Sequence, residues 1–400
     1  MTRTKRWSGL GGLGLAALVS ACAGTPRPAP TVAQPSASFL APARFTDLPG
    51  WANADLRPAV SALRQQCARW ANLTPDQPIA AGARYGGAVR DWGPACAAAQ
   101  TLAPGQERRF FEYYFTPSLV APSGETKLTG YYEPVITASR TPAPGLTEPL
   151  LRRPNDMITI ELSAFADATQ NTALAQGPRT LIGKLSGDRV RPYPQRAEIA
   201  PVPDQVIGYA HPADVYNLQV QGSGRLGFLD GQQARAAYAA QNGYKWNSAL
   251  QSAPQGNRTW AGFRAWLDST GAQAHAMLNA DPSYIFFAEE PIADPALGPR
   301  GAAGVNLTAL GSMAVDPAYH PYGALLYVDG TFDGAPFERL LVAQDTGGAI
   351  RRGPLRGDVF FGSGPDAGAM AERMNGPARF WTLLPRTATP VAMLPGAPRS

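Results

Sequence analysis

The chain has 400 residues, with 35 Lys and Arg against 30 Asp and Glu, for a formal net charge of +5. So small an excess, without an RNP-like or helix-turn-helix pattern, excludes nucleic acid as the natural partner. Three histidines far apart in sequence and three cysteines without a CxxC leave no metal-binding or redox motif.

Residues 1–21 read as a signal peptide. Arg3, Lys5 and Arg6 precede the apolar run "GLGGLGLAALVSA", which is too short to span a bilayer as a mature anchor. "LVSAC" resembles a lipobox, so Cys22 is the expected lipidation site, and by resemblance to bacterial lipoproteins Ala23 after it favours the outer membrane, facing the periplasm. The Pro/Ala/Ser-rich stretch 22–43 reads as a disordered tether. About 360 residues then remain, enough for two domains. In "ADLRPAVSALRQQCARWANL" (54–73), Val60, Leu63, Cys67 and Trp70 fall at helical spacing, with Asp55 placed to cap. Once the signal is removed, Cys67 and Cys96 form an even pair in an oxidising compartment, which reads as one disulfide closing a loop of about 30 residues and contributing roughly 3 kcal/mol. "ERRFFEYYFTPSLV" fits helix and strand alike. "TKLTGYYEPVITASR" reads as strand, interrupted at Gly130.

From Pro142 the chain is punctuated by turns, which indicates short strands and irregular loops. "DVYNLQVQGSGRLGFLDGQQARAAYAAQNGYKW" reads as strand, glycine turn, strand and short helix, the helix closed by Asn242–Gly243. "NRTWAGFRAWLDSTG" is an amphipathic helix with Trp260, Phe263, Trp266 and Leu267 inward. "PSYIFF", "GALLYVDG" and "FERLLVAQDTGGAI" read as strands, and "PDAGAMAERM" as a helix. Two GxGxxG matches are set aside. Gly9–Gly14 lies in the signal, and Gly222–Gly227 is followed by a strand and turn where a dinucleotide fold needs a helix. There is no G-x-S-x-G elbow.

The carboxylates remain. Asp345 follows "LLVAQ" and Asp358 precedes "VFF". A strand-end acid in a groove can serve as a general acid if burial raises its pKa, whereas Arg351, Arg352 and Arg356 nearby favour the anion. Glu133 in "GYYEP" is a rival second acid. Tyr131, Tyr132 and the amides of "LQVQGSG" suit sugars, by stacking and by reading hydroxyls.

The segments "LTGYYEP" (128–134), "LQVQGSGRL" (218–226), "QNGYKW" (241–246), "PSYIFF" (282–287), "DTGGAI" (345–350) and "GDVFFGSGPDAG" (357–368) resemble, in order, the membrane-bound lytic murein transglycosylase A family. The "DTGGAI…D" part also marks a wider set of three-aspartate double-psi barrels. The resemblance implies a mainly β protein with few helices. A double-psi β-barrel domain is built from N- and C-terminal segments (44–135 and 291–400), and a second β-barrel domain (136–290) is inserted. It further implies a monomer without cofactor or metal that cleaves the MurNAc–GlcNAc bond of peptidoglycan, with formation of 1,6-anhydro-MurNAc. Asp358 would act as acid and then base, with Asp345 supporting. Thr129, Gly130, Tyr131, Tyr132, Gln219, Gln221, Gly222 and Ser223 would bind glycan, and Asp366 would cap a helix. Cell-wall synthesis or division complexes are candidate partners. The Asp345-to-Asp358 loop is one or two residues longer than the family spacing, at Arg351–Arg352. Two other readings are a two-carboxylate muramidase and a glycan-binding lipoprotein without turnover.

Overall fold

The computed structural model describes residues 39–80, 85–120, 124–171, 173–174, 180–351 and 353–387. The signal peptide, Cys22, the tether up to residue 38 and Arg352 lie outside the described residues. The strands are β1 (Leu40–Pro42), β2 (Phe115–Val120), β3 (Lys127–Glu133), β4 (Val135–Ser139), β5 (Glu148–Leu151), β6 (Met157–Glu161), β7 (Thr180–Ser186), β8 (Arg189–Pro192), β9 (Val206–Ala210), β10 (Gly224–Phe228), β11 (Gln233–Gln241) and β12 (Ile285–Glu290), followed by β13 (Ser312–Val315), β14 (Leu325–Phe332), β15 (Ala335–Asp345), β16 (Arg356–Ser363), β17 (Asn375–Gly376) and β18 (Ala378–Pro385). β1 lies inside the stretch expected as tether: Leu40–Pro42 pairs antiparallel with Ser118–Val120 of β2, so the folded body begins earlier than composition suggests.

A nine-stranded sheet runs β1-β2-β18-β14-β15-β13-β16-β3-β17. It nearly closes, because β17 pairs with β3 and leads directly into β18, whose Ala378 N–H donates to Thr126 Oγ1. Alternation along the strands sorts two faces. Leu128, Tyr132, Met313, Val315, Leu341, Ala343, Val359 and Phe361 fill the barrel interior. On the outside, Leu325, Tyr327, Leu340, Val342, Trp381 and Leu383 are covered by the helices Arg57–Trp70, Val89–Gln100 and Glu107–Tyr114. Val60, Leu63, Cys67 and Trp70 are all buried there. Cys67 is bonded to Cys96, with 5.5 Å between Cα atoms. Asp55 is not the N-cap: Leu56 holds that position, and Asp55 instead accepts from the Arg57 N–H and pairs with its guanidinium.

The remaining strands form a six-stranded sheet, β12-β11-β10-β4-β9-β5, and a three-stranded meander, β6-β7-β8. An isolated bridge between Arg152 and Phe287 brings the two edges of the six-stranded sheet together. The chain passes between sheets at Pro134, which has no N–H to continue a ladder. Glu133, fully buried, secures that crossing. Its carboxylate accepts from Arg235 Nε (2.6 Å), Arg225 Nε (2.8 Å) and Ser363 Oγ (2.5 Å), while both arginines also donate to the Leu297 carbonyl of the return segment.

Two assignments between 212 and 241 are reversed. "PADVYNLQVQ" is a helix, Pro212–Gln221, started by Pro at its first position and by His211, whose Nδ1 accepts from the Ala213 N–H. "QARAAYAAQ" is a strand, because β10 and β12 pair on either side of it and tertiary pairing overrides the helix preference of alanine.

Candidate active site

The two acids meet because of one transverse row of residues. Thr129 on β3 pairs with Asp358 on β16, Asp358 pairs with Ala314 on β13, and Ala314 pairs with Asp345 on β15. All four therefore lie at one level of the barrel wall, the aspartates two strand spacings apart, about 10 Å between their Cα atoms. Since Val359 and Phe361 point into the core, Asp358 and Phe360 point outward; Thr129 and Tyr131 do so on β3. A bulge completes the row. Met313 faces Ala343 and Ala314 faces Asp345, so Gln344 is the extra residue that re-aims the acid. Gln344 is fully buried, accepts from Ser312 Oγ (2.5 Å) and donates to the Ala62 carbonyl (2.8 Å), which ties the bulge to the first helix.

Asp358 is half-buried and accepts from Thr129 Oγ1 at 2.5 Å. Thr129 Oγ1 in turn accepts from Arg356 Nη2 at 2.7 Å, so the guanidinium polarises the hydroxyl that holds the acid. Burial raises the Asp358 pKa from 3.8 to about 6; the Arg356 charge and the Thr129 bond oppose the rise, and the Asp345 charge adds to it. The sequence expectation that arginines hold this acid down is thus met in direction for Arg356, but burial outweighs it. Asp345 is raised by burial too, against the backbone N–H groups of Ala302 and Thr346 and the Tyr131 hydroxyl. Its oxygens are both occupied: Oδ1 accepts from Ala302 N–H (3.0 Å) and Oδ2 from Tyr131 OH (2.9 Å). Asp358 is therefore suited to exchange a proton near neutral pH, and Asp345 to hold Tyr131 and the 300–304 loop.

The other expected site residues divide by burial. Thr129 and Tyr131 are partly exposed beside the acids, with the Tyr131 ring 5.4 Å from that of Phe360. Gln221 is partly exposed and accepts from the Tyr132 N–H. Gly222 closes the Pro212–Gln221 helix at φ 85°, a position that favours glycine. Tyr132, Gln219 and Ser223 are buried, whereas Gly130 is partly exposed but closely packed. A Cβ on Gly130 would stand 2.6 Å from the Phe361 ring and 2.8 Å from the Ala371 Cα, so this glycine admits the helix Pro365–Arg373 against β3. Tyr132 is buried under that helix and accepts from Asn217 Nδ2. Gln219 is buried, and Ser223, also buried, accepts from the Tyr238 N–H. Asp366 lies in the first turn of its helix without capping it; Gly364 is the N-cap. Glu133, the rival acid, is enclosed by its two arginines.

The relay from Arg356 through Thr129 and the bulge at Gln344 carry no sequence signal of their own, because both depend on strand register. Among the described residues no group of three or more His, Cys, Asp or Glu is placed to hold a metal ion. His211 bonds Asp268 at 2.7 Å. His320 is buried between the Tyr85 hydroxyl (2.5 Å) and the Pro354 carbonyl (2.7 Å), and burial lowers its pKa to about 4.

Two family models match: the MltA specific insert domain over residues 127–288 and the 3D domain over residues 311–384. The chain is 30% identical to a membrane-bound lytic murein transglycosylase from Agrobacterium tumefaciens of known structure, covering 87% of this chain and 98% of that one at a TM-score of 0.71. MltA from Neisseria gonorrhoeae is 28% identical, with 88% and 93% covered and a TM-score of 0.72. Membrane-bound lytic murein transglycosylase A of Escherichia coli K12 is 28% identical over 279 residues, which is 65% of this chain and 66%, just under two thirds, of that protein. These likenesses carry the same double-psi barrel architecture, and the chain belongs to the membrane-bound lytic murein transglycosylase A family.

Proposed function

We propose that this protein is a lytic transglycosylase that cleaves the MurNAc–GlcNAc β-1,4 bond of peptidoglycan and leaves 1,6-anhydro-MurNAc ends. The observation that carries the reading is the half-buried Asp358, raised to about 6, on the outer barrel face beside Tyr131. In the first step the protonated Asp358 gives its proton to the glycosidic oxygen as the C1–O4 bond breaks. The MurNAc C6 hydroxyl then forms the C1–O6 bond, and the Asp358 carboxylate takes the hydroxyl proton. The nucleophile belongs to the substrate, so one exchanging acid suffices. Asp345, with both oxygens bonded, is a positioning residue and is poorly placed to activate a water. Thr129, Tyr131 and Gln221 would contact the glycan in a groove flanked by the inserted barrel (136–290). Cys22 would carry a lipid on the outer membrane, leaving the enzyme in the periplasm, with cell-wall synthesis or division complexes as partners.

The test is product analysis of peptidoglycan digested by protein lacking residues 1–22. Anhydro-muropeptides are expected from the wild type and none from Asp358→Asn. Reducing-end products would make the protein a muramidase, and glycan binding without products would make it a scaffold.

A further inference from the structure

We infer that the pocket between the helices Val89–Gln100 and Glu107–Tyr114 and the end of β18 is a second glycan site, taking neutral N-acetylated aminosugar units. The choice of ligand rests on the activity proposed above. Tyr113 is 70% exposed, more than any other large hydrophobic side chain among the described residues. Its ring meets that of Tyr114 edge-on at 4.9 Å. It overlooks a cavity of about 520 Å³ with a shoulder of about 260 Å³, both lined by Tyr113 and Tyr114. That volume lies in the range of small-ligand pockets.

The surroundings fix the chemistry. Arg386 donates to the carbonyls of Tyr113 (3.0 Å) and Glu112 (2.9 Å), so the helix end that presents Tyr113 is pinned to β18. Glu112 Oε1 accepts from Trp51 Nε1 and Asp91 Oδ2 from the Ala88 N–H. The second oxygen of each carboxylate has no protein hydrogen bond among the described residues. A rigid aromatic face beside unbonded acceptors matches a pyranose ring, whose C–H face stacks while its hydroxyls donate. A purely apolar partner would bury those carboxylate oxygens without bonds. None of the lining residues belongs to the acid row, since β14, β15 and β13 stand between β18 and β16. The pocket would therefore hold a remote part of a polymer and raise the effective concentration of its scissile bonds.

The test uses Tyr113→Ala and Tyr113→Phe, each in the Asp358→Asn background for binding and in the active protein for turnover. Retention on insoluble peptidoglycan is expected to fall about 3- to 10-fold for Tyr113→Ala and to be kept by Tyr113→Phe, which retains the stacking face. Turnover of a soluble tetrasaccharide is expected to be unchanged. Unaltered retention in Tyr113→Ala would overturn the inference and leave the pocket to another occupant. So would an equal loss on the short substrate, since that places the effect in the fold. If the wild type makes no products while retention still depends on Tyr113, the proposed activity fails and the glycan site stands.

Discussion

At the scale of single residues, the proposed chemistry turns on the environment of Asp358. Burial raises its pKa to about 6, and Thr129 and Arg356 pull the other way. In the proposed mechanism Asp358 starts protonated, so kcat/KM is expected to fall tenfold per pH unit above about 6 in a pH–rate profile. Replacing Thr129 by Val removes a bond that favours the anion, so that limb should move to higher pH, while Thr129→Ser restores it. Stability follows the same group with a definite sign. The native state binds this proton more tightly than the unfolded chain, so the contribution is most favourable below about pH 4 and is lost as pH rises through 6. Asp358→Asn should therefore be more stable than the wild type at pH 7.5, by at most about 3 kcal/mol, and the difference should vanish near pH 3; denaturant titrations at both pH values check it. The acids themselves were legible in the sequence as strand-end residues among glycines. Their partners were not, because Thr129 is 229 residues from Asp358 and meets it only through parallel pairing of β3 with β16.

At the scale of elements, glycines and buried charges determine how strands and helices meet. Gly130 and Gly368 let the helix Pro365–Arg373 rest on β3, and a Cβ on Gly368 would stand 2.7 Å from the Tyr132 ring. Tyr132 reads as a sugar contact in the sequence because aromatic faces serve both stacking on sugars and core packing, and Gly130 was assigned to the glycan through the family resemblance. Strand alternation places Tyr132 on the core face only once that face is known. Glu133 illustrates the same ambiguity: a glutamate before proline carries no mark of the two arginines, 92 and 102 residues away, that enclose it. Removing it strands both guanidinium groups, so Glu133→Ala should cost about 3–5 kcal/mol in chemical denaturation. Segments with strong local patterning were legible, among them β12, β14, β15 and the 57–70 helix. The exchange of helix and strand in 212–241 arose where alanine-rich sequence is held extended between two neighbours.

At the scale of the whole molecule, two sheets built from interleaved parts of the chain leave one barrel face for helices and the other for the acid row. The closure of the barrel through β17 was not legible in the sequence, since a strand of two residues has no periodicity to read. The central claim is that Asp358 works with a nucleophile from the substrate and without water. The most direct measurement is digestion of peptidoglycan in ¹⁸O-enriched water, followed by mass spectrometry of the new chain ends. Anhydro ends without label are the expected result. Reducing ends carrying ¹⁸O would show that water attacks C1, and would contradict the assignment of Asp358 as the sole exchanging acid.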